Sequence, residues 1–276
     1  MKRGTRALTS LFGNKSLPKS KRSQVSIFII IGILIVVVIA LVFVFREDII
    51  PDSGGGVEVN LNSFLKTCLE DEIKETVEVI SLQGGKVEPT LYKTFKFDEE
   101  DEFYDISFLC YNQNNYLQCI NQEPMLIQNL KKELEKELED EVESCFTDLG
   151  NSLDNQGFVV DARYRGFEIE LMPRKIVIEI DGEMGLTKTE NSVRYENFTI
   201  SETSRFYDVA VVVQEIVNQE ASFCYFDNLG YMLFYPEFEI DKTRTSDSAL
   251  IYTIKYQDSE EKFRFAVRGC VMPPTA

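Results

Sequence analysis

Residues 25–45 form an uncharged run of 21 positions in which only Ser26 and Gly32 interrupt the apolar side chains. As a helix rising 1.5 Å per residue it would be about 31 Å long, the hydrocarbon thickness of a bilayer. A cleaved secretion signal has an apolar region of only about 7–15 residues followed by small residues at a cut site. Here the run leads directly into Arg46, Glu47 and Asp48. The pattern predicts a retained transmembrane helix over residues 24–46. Lys2, Arg3, Arg6, Lys15, Lys19, Lys21 and Arg22 precede it, with no Asp or Glu among the first 23 residues. Positive charge of this kind holds the flanking segment in the cytoplasm. Residues 1–23 are therefore expected to be a basic cytoplasmic leader, the protein a single-pass protein of the cell membrane, and everything after the helix extracellular.

The whole chain carries −17; without the seven leader cations, residues 24–276 carry −24. An excess of that size excludes nucleic acid as a partner, because phosphate contacts need clustered Lys and Arg. It also disfavours lying flat on an anionic lipid surface. Its ordinary role is solubility.

Lys21-Arg22-Ser23-Gln24 followed at once by the long apolar segment resembles the class III signal peptide of archaeal type IV pilins and archaellins. The resemblance implies that a prepilin peptidase cuts between Ser23 and Gln24 on the cytoplasmic side and leaves the helix in place. It also implies other surface or pilus subunits as partners. The fifth residue after the cut is Phe28 where bacterial pilins carry Glu, a position at which archaeal members often lack it. The chain as a whole also resembles uncharacterised membrane-anchored proteins of small-genome archaea, in which such a helix precedes a Cys-containing α+β domain.

Residues 47–60 contain Pro51 and the run Gly54-Gly55-Gly56 and read as a flexible linker. Residues 61–276 are then an extracytoplasmic α+β domain, long enough for one sizeable core or for two lobes split near residue 150. Leu61, Phe64, Leu65, Cys68, Leu69, Ile73, Val77 and Ile80 recur at helical spacing, ended by Gln83-Gly84-Gly85. Pro124 opens a second amphipathic helix with a stripe of Ile127, Leu130, Leu134, Leu138, Val142, Cys145 and Leu149. Its other face, rich in Glu from Glu133 to Glu143, reads as solvated. Residues 205–220 fit a third helix. Alternation at 167–171 and 176–180 around Pro173 reads as an antiparallel hairpin, and further strands are expected at 106–111, 231–240, 249–257 and 263–270. The fold class expected is α+β, with an N-terminal transmembrane helix, two or three amphipathic helices and mainly antiparallel sheet.

All six cysteines lie beyond the apolar run. An even number in an exported domain points to disulfides. A hairpin with a loop at residues 113–116 would set Cys110 directly opposite Cys119. Cys68 and Cys145 lie on the apolar stripes of two helices and could staple them, which leaves Cys224 with Cys270.

The chain has no His, which removes Ser-His-Asp and Cys-His machinery and the usual base near neutral pH. It has no Cys-x-x-Cys and no phosphate-cradling glycine loop. Acidic residues 98–102 lack the spacing of an EF-hand and read as a solvated loop. Asn197-Phe198-Thr199 is a candidate glycosylation acceptor. The expectation is a non-enzymatic, pilin-like surface protein without cofactor or metal, held in the bilayer through residues 25–45 and serving structure, adhesion or assembly. A binding or sensing domain acting on a membrane partner is the alternative, and a His-free carboxylate hydrolase the third.

Overall fold

The computed structural model describes residues 60–272, apart from Glu99 and Glu190. The expected leader, the Ser23/Gln24 cut, the membrane helix and the linker up to residue 59 lie outside them. Among the described residues no helix is long and apolar enough to cross a membrane.

The domain is α+β and has four helices. Helix α1 (Leu61–Leu82) starts at Asn60, whose side chain accepts from the Ser63 N–H at 3.1 Å, a standard N-cap. It buries Leu61, Leu65, Leu69, Ile73, Val77 and Ile80 of the expected stripe together with Thr76 and Ser81, while Phe64 and Cys68 are half-buried. At its C-terminal end Gly84 has φ +75, and an added Cβ would lie 2.9 Å from the Ser107 Cβ, so only glycine fits. Helix α2 (Leu126–Asn155) buries Leu126 rather than Ile127 and continues its stripe to Leu153. Helix α3 (Phe206–Phe223) carries Val211-Val212-Val213; burial of Val212 and Val213 overrides their weak helix preference. Helix α4 (Asn228–Phe234) stands where a strand was expected at 231–240. Asp227 accepts from the Gly230 N–H at 3.0 Å and so starts a helical turn, and the strand begins only at Phe238.

There are two sheets. One is a three-stranded antiparallel sheet of β4 (Val159–Met172), β5 (Lys175–Lys188) and β6 (Asn191–Thr203). The expected hairpin turns at Pro173-Arg174 and pairs Met172 with Lys175. Strand β6 was not foreseen. Its alternation breaks at Asn197, which has φ +55 at a register shift, so no single period-2 pattern spans it.

The other sheet has the order β1-β2-β9-β8-β7, with a two-residue β3 also on β2. Its strands are β1 (Tyr92–Phe95), β2 (Tyr104–Tyr111), β3 (Ile120–Asn121), β7 (Phe238–Arg244), β8 (Leu250–Tyr256) and β9 (Lys262–Arg268). All its pairings are antiparallel except β2 with β9, which is parallel. That pairing puts residues from both halves of the domain in one sheet, so the alternative of two lobes split near residue 150 does not describe the chain. Helices α1 and α3 each touch both sheets, and α2 packs on α1 and β4. Glu135 of α2 accepts from the Ile169 N–H of β4 at 3.0 Å, and Glu133 from the Val87 N–H at 3.0 Å. Part of the face expected to be solvated therefore satisfies backbone groups, one of them on an edge strand.

Every cysteine is paired: Cys68–Cys145 between α1 and α2, Cys110–Cys119, and Cys224–Cys270. Cys119 is not directly opposite Cys110 as the hairpin reading had it. Cys110 faces Asn121, two positions away, because the connection runs from Asn112 to Cys119 and is longer than a four-residue turn. The Cα atoms are still 5.3 Å apart, within bridging range. A bridge restricts the unfolded chain more when it closes a longer loop. Replacing Cys68 and Cys145 (separation 77) with Ala should therefore cost about 4.5 kcal/mol, against about 2.6 kcal/mol for Cys110 and Cys119 (separation 9). Urea unfolding of the two double variants checks this order.

Candidate functional site

The residues most able to do chemistry meet in a cleft of about 510 Å³ where α1, the end of β6, the β8–β9 turn and the loop before β2 converge. Phe198, Ile200 and Glu202 alternate inward along β6, so strand geometry puts a carboxylate where a core residue would sit. Glu202 is only 7% exposed. Its Oε2 has no hydrogen-bond partner and is 3.4 Å from the Lys66 ammonium, while Lys74 is 3.7 Å from its Oε1. Both lysines extend along α1 and keep their heads in water.

On the opposite wall Glu100 and Tyr104 are held from behind by Arg264, 3% exposed on β9. Its guanidinium donates to both oxygens of Glu100 at 2.5 and 2.9 Å. It stacks 3.9 Å from the Phe97 ring centroid and 4.9 Å from that of Tyr104. The acidic run 98–102 is thus more than the solvated loop it was expected to be, since Glu100 pins it to the sheet. The hydrogen bonds from Arg264 hold the Glu100 carboxyl below its ordinary value.

Glu261, in the β8–β9 turn, accepts from the Arg205 N–H at 2.6 Å and from the Ser204 hydroxyl at 3.2 Å. Ser204 Oγ in turn accepts from the Phe206 N–H at 3.0 Å. Helix α3 is therefore capped from a turn more than fifty residues away. Burial pushes the Glu261 carboxyl up despite these donors. In all, Glu78, Glu100, Glu202, Glu260 and Glu261 line the cleft against Lys74 and Lys262. Its excess negative charge suits a cationic group.

The residues singled out from sequence lie elsewhere. Asn197 is exposed at the β6 bulge. Ser23 and Gln24 are outside the described residues. None of the six cysteines lines the cleft. Cys68, Glu141 and Cys145 have ligand atoms within 4.8 Å of one another, but the two sulfurs are bonded together and offer no thiolate to a metal. The cleft itself was missed from sequence. Its one local signal is charge in the apolar phase of a strand, Glu202 after Ile200, whereas Arg264 alternates with Phe263 and Phe265 and reads from sequence as solvent-facing. The chain matches no family model, and no curated protein or solved structure is similar to it.

Glu100 and Glu261, both half-buried, respond oppositely to pH. Glu100, with a lowered pKa, contributes stability that is fully present above the ordinary glutamate value of about 4.3 and is lost as pH falls through the lowered one. Glu261, with a raised pKa, costs stability at neutral pH, and the cost disappears as pH falls through the raised value. Glu100→Gln should lower stability by about 2 kcal/mol at neutral pH, because it strands the buried Arg264 charge. The deficit should shrink under acid, where wild-type Glu100 is neutral too. Glu261→Gln keeps an oxygen for Arg205 and should raise the urea midpoint at neutral pH, with the gain narrowing on acidification. Urea titrations at several pH values read both slopes.

Proposed function

We propose that the chain is a membrane-anchored extracytoplasmic surface protein, pilin-like at its N-terminus, whose domain serves adhesion or assembly by holding cationic groups of a partner in the acidic cleft. The observation that carries this reading is the cysteine pattern. All six follow the apolar run and all six are bridged, the state expected of a domain in an oxidising compartment and not in the cytosol. The basic leader and apolar run supply the matching orientation.

The cleft favours recognition over hydrolysis. Carboxylate hydrolysis needs one acid free to donate a proton and a second free to attack or activate water. Here Glu100 is engaged by Arg264, Glu261 by the start of α3, and Glu202 by two lysines, which leaves the solvent-facing Glu78 and Glu260 to meet a cation. A sensing domain that passes a signal to a membrane partner would use the same cleft.

Mass spectrometry of the membrane-extracted protein, with and without reduction, tests the placement. A mature terminus at Gln24 with three bridges is the expected result. An intact Met1 would remove the pilin-like route, and six free thiols would remove the extracytoplasmic placement. For the cleft, trilysine peptide is the probe. Glu78→Gln with Glu260→Gln, both solvent-facing, should weaken its binding by about 1 kcal/mol, or roughly fivefold. Binding unchanged by both substitutions and by added salt would rule the cleft out.

A further inference from the structure

The segment 223–236 contains one charged side chain, Asp227, in a chain that is 27% charged, and six of its 14 residues are aromatic. Part of it is core: Phe226 is buried and packs on Tyr231 and on Tyr252 of β8. The rest faces out. Leu229, Leu233 and Phe234 of α4 are 69%, 83% and 82% exposed, and Phe223 just before it is 74% exposed. Such side chains gathered on one short helix and its flank are a surface awaiting a cover.

Two neighbouring segments extend it. The Gln118 side chain donates to the Ser222 carbonyl at 2.7 Å, and Cys270 N–H donates to the Leu117 carbonyl at 2.6 Å. Tyr116, Leu117 and Met272 are exposed as well. The Cys224–Cys270 bridge fixes the base of this surface.

We propose that this face, centred on α4, inserts into the outer leaflet of the bilayer that anchors the chain, as a shallow apolar contact with neutral lipid. The proposal rests on the anchored reading above. Three observations select lipid as the occupant. First, a chain with −24 beyond its leader repels a second copy of itself, and a zwitterionic leaflet imposes no such penalty. Second, the face mixes aliphatic tips with Tyr225 and Tyr235, the composition that settles at a membrane–water boundary. Third, residues 46–59 span at most about 48 Å when extended. A domain of this length has a radius of gyration of about 17 Å, so the tether keeps every face within reach of the leaflet at high effective concentration. The contact depends on apolar burial and not on anionic headgroups, and added salt should not loosen it.

The chain has no Trp, so Phe234→Trp creates a single reporter at a solvent-facing position. Full-length protein is placed in phosphatidylcholine nanodiscs with or without bromine on the lipid chains. Emission of this variant should be blue-shifted and fall by about half with brominated lipid. Phe103→Trp, exposed beside the opposite edge of the large sheet, should be unaffected. Alkaline carbonate washing of membranes reports the anchor separately. Protein that resists washing but leaves Phe234→Trp unquenched overturns the docking and keeps the anchor. Protein that washes out yet is quenched on phosphatidylcholine vesicles keeps the docking and sinks the anchor. A blue shift without bromine quenching means that protein covers the face, and overturns the proposal.

Discussion

The parallel pairing of β2 with β9 is the constraint on which the rest of the domain depends. Without it the larger sheet falls into two local pieces, β1–β3 and β7–β9, each joined by short connections. With it, β9 becomes an interior strand whose residues from Phe263 to Val267 are all buried. The two faces of β9 then do different work. Phe263 meets Phe206 of α3 and Phe265 stacks on Tyr252, on the side of the helices. Arg264 and Ala266 lie on the other side, in the satellite cluster of Ile106, Phe108 and Ile251 that Phe97 and Tyr104 cover. One strand thus carries the helical core, the Arg264–Glu100 clamp and, at its two ends, Glu261 and the approach to Cys270.

Buried charge in this domain marks register more than it adds stability. Glu220 of α3 is 2% exposed and accepts from the Tyr252 hydroxyl and from Lys242 at 3.1 Å. Desolvating a carboxylate and an ammonium is costly, and their attraction roughly offsets that cost. What the trio fixes is position: a slide of α3 along β7 and β8 would leave one of the three unpaired in the core. Glu261 does the same for the start of α3, and Glu202 for the contact of β6 with α1. The cleft sits where these positional pairs leave an oxygen and some volume unused.

Elements whose pattern is local were legible in the sequence. The stripes of α1 and α2, the glycines after α1, the β4–β5 hairpin and the presence of bridged cysteines all follow from spacing within a few turns or a few residues. What was not legible depends on distant partners. Strand β6 loses its period at Asn197, where the bulge is matched to a shift in β5. Helix α4 has the aromatic composition of a strand and is helical because Asp227 caps it and Asn228 and Met232 hydrogen-bond the Ile240 backbone of β7. The parallel β2–β9 pairing has no local signature, and every residue of the cleft owes its meaning to it or to β6.

Two of the three bridges, Cys110–Cys119 and Cys224–Cys270, are separate from the cleft. Residues 116–118, 222–225 and 270–272 come from three parts of the chain and hold together through two disulfides and a few backbone hydrogen bonds. The walls of the cleft are tied instead by ion pairs, helix caps and strand pairing, and none of its lining residues is a cysteine. A covalent staple maintains a surface with few inward apolar contacts, where packing alone would let the segments part. The cleft rests on core strands and helices, and of the three bridges Cys68–Cys145 alone ties one of its walls, α1, to a neighbour. Two bridges thus brace segments that the core reaches little, and the third, Cys68–Cys145, ties two core helices together.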